Sequence, residues 1–220
     1  HINLTEGSPI SNDADIATLL TTDGYFLGRE TLHRMLGEGE IDKFHIEREL
    51  RSQFEWFMEQ YGQPTHVDGH HHIHVHPFIA PILVTLLDRY GISFVRIPSE
   101  PVPPFGFEID EPQIKKILAI NKQADAAKAL FAGHGVKTTD HFRGLALCGH
   151  ASNRNLRHIL SRLPEGVTEL MVHPGSQNPA GDAFETDPQR VTEFNMVMNP
   201  ELTTEFAERK ITLCSYADLY

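Results

Sequence analysis

The stretch Thr65-His66-Val67-Asp68-Gly69-His70-His71-His72-Ile73-His74-Val75-His76-Pro77 joins a short apolar run to a histidine cluster. Thr65–Asp68 predicts a strand. Pro77 leads into Ile79–Tyr90, apolar enough to predict a helix packed on a sheet, with Gly91 as its break. Ile92–Ile97 predicts a second strand, cut off by Pro98. Strand, helix, strand in that order is a βαβ unit, whose strands run parallel.

The alternation continues in both directions. His1–Leu4 is β-like and ends in the turn residues Thr5–Pro9, and residues 11–40 read as a long loop with a short helix. Between Asp42 and Tyr61, the positions Ile46, Leu50, Phe54, Phe57, Met58 and Tyr61 recur at helical spacing, and Gly62 and Pro64 stop the run. Downstream, Ser99–Phe107 is a proline-rich loop and Glu111–Phe131 a long helix. Val136–Thr139 predicts a strand, Asn153–Leu163 a helix and Glu169–Val172 a strand. Pro188–Met198 and Thr203–Arg209 predict helices before a closing strand, Ile211–Cys214. With no repeat and no linker, residues 1–220 read as one α/β domain. Neither G-x-G-x-x-G nor a Walker A sequence occurs, which favours a barrel-like arrangement with its chemistry at the carboxyl ends of strands.

Composition excludes several function classes. The 220 residues carry 19 Lys+Arg against 30 Asp+Glu, a net charge of −11, which opposes nucleic-acid binding. No apolar run reaches the ~20 residues of a membrane span, and the opening HINLTEGSPISND is not a signal peptide. The 2 cysteines, Cys148 and Cys214, read as free thiols of a reducing compartment, hence the cytoplasm. A homodimer is compatible with this composition. The first residue is His and not Met, so the start reads as a processed or truncated point.

The chain holds 14 histidines, and His70, His71, His72, His74 and His76 fall close together. Strand alternation puts His66, Asp68, His70 and His72 on one face and His71 on the other. Neutral imidazole is the commonest biological metal ligand, and a carboxylate such as Asp68 can fix its tautomer. The competing reading is a His-rich surface turn. His173-Pro174-Gly175 follows the apolar run Leu170–Val172, a strand-end placement suited either to acid–base work or to a backbone hydrogen bond. Arg96, inside the buried run Phe94–Pro98, needs a carboxylate partner or a strand-end exit. Asp140-His141-Phe142-Arg143-Gly144 is a further strand-end cluster, and Tyr216 and Asp218 follow the last strand. Phe105, Phe107 and Phe142 suit either sugar stacking or packing. With no G-x-S-x-G elbow and no nucleophile signature at Cys148, covalent hydrolysis is disfavoured.

These residues resemble the YdjC/ChbG-type carbohydrate deacetylases, also called chitooligosaccharide deacetylases. The match lies in His1–Gly7, Pro64–His74 with its H-x-D-x-H-H-H-x-H block, Val95–Pro98, Glu169–Gly175 and Ser215-Tyr216, in the family's order. The resemblance implies a deacetylase-type (β/α) barrel and hydrolysis of the N-acetyl group of N-acetylglucosamine units in small oligosaccharides. It also implies a divalent ion, Mg²⁺ first and Zn²⁺ second. Carried over by position, His1 and His70 are metal ligands, Asp68 orients an imidazole, and Arg96 joins the catalytic set. His173 protonates the leaving amine or holds the oxyanion. From the residues alone, not all five cluster histidines can be ligands, so His72 and His74 read as substrate contacts, as does Asp140. The family's Ala-Asp-Asp-Phe-Gly segment, which supplies a third ligand and the general base, is not in this sequence. On this reading the chain lacks the first strand–helix unit of the barrel. The rival readings are a non-catalytic carbohydrate- or partner-binding barrel and another metal hydrolase acting on an amide or phosphoester.

Overall fold

Helix formation follows the apolar spacing, while the expected strands His1–Leu4, Thr65–Asp68, Ile92–Ile97 and Val136–Thr139 are reduced to isolated bridges. The structure, a computed structural model, describes residues 1–102, 107–178, 180 and 184–219. Its helices are α1 (Arg29–Glu38), α2 (Lys43–Tyr61), α3 (Ala80–Arg89), α4 (Glu111–Gly133), α5 (Asn153–Leu160), α6 (Gln189–Val197) and α7 (Glu201–Glu208). The strands β1 (His141–Arg143) and β2 (Thr168–Leu170) pair in parallel. The chain divides into two compact units, residues 1–97 with 123–138, and residues 98–122 with 139–220.

In the first unit, α2 starts where the Asp42 side chain accepts the Phe44 N–H at 2.8 Å and ends at Gly62, whose φ of 81° suits glycine. Its Ile46, Leu50 and Phe54 are buried, as their spacing predicts. α3 carries Pro81 in its first turn and buries Leu83, Val84, Leu86 and Leu87. Both helices cover short extended segments linked by parallel bridges, Ile2 with Gly69, Val67 with Val95 and Phe94 with Lys137. The core between them includes Leu4, Ile16, Leu32, Val67, Val95 and Phe131.

In the second unit β1 and β2 lie beside two apolar clusters, one around Phe142 and Met171 and one around Leu156, Ile159 and Met196. Two local expectations need correction. His141–Arg143 is a strand in its own right, with Phe142 only 1% exposed, so Phe142 packs and presents no stacking face. Ile211–Cys214 forms no strand among the described residues: the Ile211 N–H donates to the Phe206 carbonyl at 2.8 Å as the chain leaves α7, Ile211 packs on the second apolar cluster, and Leu213 is 73% exposed. Phe105 lies outside the described residues. Among the described residues, no helix is long and apolar enough to cross a membrane.

Candidate metal centre

The site grows from the parallel ladder of the first unit. Ile2 N–H donates to the Asp68 carbonyl at 2.9 Å, and His70 N–H to the Ile2 carbonyl at 2.8 Å. Val67 N–H donates to Phe94, and Arg96 N–H to Val67 at 2.9 Å. Asp68 therefore sits on a middle segment between two neighbours. Its Oδ1 lies 2.8 Å from His1 Nδ1, and its Oδ2 lies 2.5 Å from the Arg96 guanidinium. Asp68 is 8% exposed, so the Arg96 pairing compensates the desolvation of its carboxylate.

Beyond Asp68 the strand stops. His70–Val75 forms a tight turn in which His71 and His72 adopt positive φ values of 52° and 58°. That ends the alternation expected over residues 66–72, because left-handed residues turn the chain away from the pleat. Three consequences follow. His1 Nε2 and His70 Nδ1 stand 3.5 Å apart, with the rings edge to face. His70 Nε2 meets Glu6 Oε2 at 3.3 Å, and His71 Nε2 meets Glu6 Oε1 at 3.6 Å. His74 turns inward and is 0% exposed, with its ring against the Arg96 carbonyl at 2.9 Å.

Burial lowers the His74 pKa from 6.5 to about 4, so its ring is neutral at pH 7 and Nε2–H donates to Arg96. Gly69 makes room for it, since a Cβ there would stand 2.9 Å from His74 Nδ1 and 3.0 Å from its backbone nitrogen. A substrate contact at His74 is thus excluded by burial in this conformation, and its place is under the turn. His72 is half-buried beside it, ring centroids 6.4 Å apart.

Glu6 and His71 were not singled out from the sequence, where Thr5–Pro9 reads only as a turn. The available signal was Asn3. Its Oδ1 accepts from the Thr5 N–H at 2.9 Å and the Glu6 N–H at 3.2 Å, an Asx-type turn that aims Glu6 at the histidines. The Gln53 amide grips Asn3 N and O, at 2.9 and 2.6 Å, and buried Glu49 holds Gln53 at 2.8 Å. A cavity of about 350 Å³ runs along this edge, lined by His1, Asn3, Gln53, Phe54, Phe57 and His66.

His173 and Asp140 belong to the second unit. The His173 N–H donates to the carboxylate of Glu193, which is 3% exposed and whose pKa burial raises. The His173 ring meets Phe184 edge to face at 5.5 Å. Asp140 accepts the Val167 N–H at 2.8 Å over Gly166 and so ties β2 to its loop. Tyr216 O–H donates to Glu169 at 2.7 Å, and Asp218 caps Ser215.

The chain is similar over its whole length to known proteins. The chain is 33% identical to the carbohydrate deacetylase of Homo sapiens over 237 residues, covering 100% of this chain and 73% of that protein. It is 31% identical to the carbohydrate deacetylase of Geobacillus stearothermophilus over 222 residues, covering 100% and 75%. Against the chitooligosaccharide deacetylase of Escherichia fergusonii the identity is 28% over 221 residues, covering 100% and 76%. A crystal structure from Enterococcus faecalis V583, of a protein named for cellobiose-phosphate cleavage, matches with a TM-score of 0.78. That match covers 100% of this chain and 76% of the other at 20% identity, a likeness of fold alone. Residues 1–208 match the YdjC-like protein family, and the chain belongs to it.

Proposed function

We propose that this protein is a carbohydrate N-deacetylase that uses a divalent ion to hydrolyse the acetamido group of N-acetylglucosamine units in small oligosaccharides. One observation carries the reading: two imidazoles converge, and each is backed by a carboxylate. His1 offers Nε2 while its Nδ1–H donates to Asp68, and His70 offers Nδ1 while its Nε2–H donates to Glu6. A carboxylate behind a ligating histidine fixes the tautomer and raises ligand basicity. Two nitrogens each about 2.1 Å from a shared ion span 3.5 Å at a near-tetrahedral angle, so the pair fits an ion. Imidazole donors favour Zn²⁺ over the oxygen-seeking Mg²⁺.

A bound ion would polarise the amide carbonyl and acidify a water. Water oxygen adds to the carbonyl carbon, the C–N bond breaks, and the sugar amine leaves with a proton as acetate forms. Both Asp68 oxygens are engaged, by His1 and Arg96, so Asp68 positions the ligand ring and Arg96 fixes the orientation of Asp68. His173 is assigned the proton delivered to the amine, on its match to the family position. The fold is inferred to be the (β/α) barrel of such deacetylases, with the parallel pairing within each unit in support.

The test is acetate release from diacetylchitobiose by the isolated protein. Release that a chelator abolishes and Zn²⁺ or Mg²⁺ restores is expected. Binding of the sugar without release, whichever ion is added, would replace the enzyme by a carbohydrate-binding module.

A further inference from the structure

We propose a second cation position in the first unit, formed by Glu6, His70 and His71 and suited to a divalent transition ion such as Zn²⁺ or Co²⁺. One ligand atom from each of the three residues lies within 4.8 Å of the others. Each oxygen of Glu6 faces its own imidazole, His70 Nε2 at 3.3 Å and His71 Nε2 at 3.6 Å. Side chains of consecutive residues ordinarily diverge, yet these two ring centroids are 4.1 Å apart. The left-handed backbone at His71 brings them together. Such a conformation in a non-glycine residue costs about 1–3 kcal/mol and persists where the surroundings or the function hold it.

Tautomers sharpen the assignment. The Thr5 hydroxyl donates to Asn3 Oδ1 at 3.2 Å, so it accepts from His71 Nδ1–H at 3.1 Å. The Nε2 lone pair of His71 then faces Glu6. For His70, Nδ1–H can donate to His1 Nε2, whose own Nδ1–H donates to Asp68, and the Nε2 lone pair of His70 also faces Glu6. In that tautomer of His70, two lone pairs and a carboxylate face one another, and a cation between them relieves the repulsion. Glu6 is half-exposed with rotatable bonds, so it can draw in around an ion. Two imidazoles and one carboxylate leave open coordination positions and match borderline ions better than Mg²⁺.

The position is distinct from the His1–His70 one. A neutral His70 ring has one lone pair, at Nδ1 for the first position or Nε2 for the second, so the two exclude each other on one ring. A transition ion at Glu6–His70–His71 therefore draws His70 away from His1.

Calorimetric titration with Co²⁺, with the visible absorption of bound Co²⁺ as a second readout, tests this on the chelator-treated protein. His71→Asn tolerates the left-handed backbone and supplies a poor ligand. In the His1→Gln background, where the first position is lost, it should weaken Co²⁺ binding at least tenfold. Glu6→Gln in the His1→Gln background, where only the second position remains, should lose Co²⁺ even if His71→Asn does not fold. Undiminished binding in Glu6→Gln/His1→Gln or in folded His71→Asn/His1→Gln, or no Co²⁺ binding by the unmodified protein, would overturn the proposal. The readout is binding, so a protein that releases no acetate leaves this test intact.

Discussion

Acidification should destabilise this protein through His74. Its ring is 0% exposed and its pKa is lowered from 6.5 to about 4 by burial, against the weaker opposing effects of the Arg96 carbonyl and Asp68. A histidine whose folded pKa is depressed binds more protons when unfolded, so stability falls as pH drops through the window from 6.5 toward 4. At pH 7 both states are nearly neutral at this position. At pH 5 the unfolded imidazole is almost fully protonated and the folded one is not, which costs the folded state about 2 kcal/mol. His76, lowered to about 4 by burial and by His33, adds a contribution of the same sign. Urea unfolding at both pH values measures the loss. His74→Gln keeps a donor for the Arg96 carbonyl and cannot titrate, so its loss between pH 7 and 5 should be smaller by about 2 kcal/mol. Equal losses in the two proteins would refute the reasoning, because His74 would then be protonated alike in both states.

Other expectations follow from burial and geometry. Leu50, 0% exposed on α2, should cost about 2–5 kcal/mol when changed to Ala, read by urea unfolding. Gly69→Ala brings a Cβ to 3.0 Å from the His74 backbone nitrogen and 3.1 Å from its Cβ, and thermal unfolding should show a loss of about 1–3 kcal/mol. Asp68→Asn removes the charge between His1 and Arg96, and should lower metal affinity about 10–100-fold in a competition titration. His173→Ala should reduce turnover while bound metal, counted by elemental analysis, is unchanged. Metal loss there would reassign the residue.

The helices of the first unit were legible because Ile46, Leu50 and Phe54 repeat on one face and because Gly62 and Gly91 mark real breaks. The parallel order was legible from the alternation of strand-like and helix-like runs. The histidine turn was not. Alternation assumes that a strand continues, and His71 and His72 leave it through backbone angles that histidine composition does not announce. His74 reads as a substrate contact only as a member of the cluster, and composition gives no hint that its ring turns inward. Glu6 was missed because its role depends on a contact 64 residues away, made by a turn that Asn3 shapes locally. The pairing of Asp68 with Arg96 had been one of two alternatives, and only the register of Val67 beside Val95 selects it.

The most direct measurement of the central claim is the product balance on diacetylchitobiose with the metal-loaded protein. The account predicts one acetate and one primary amine for every amide cleaved, with the sugar–sugar linkage intact, and both products lost in His70→Ala. Shortened sugars without acetate, or acetate release undiminished in His70→Ala, would contradict it.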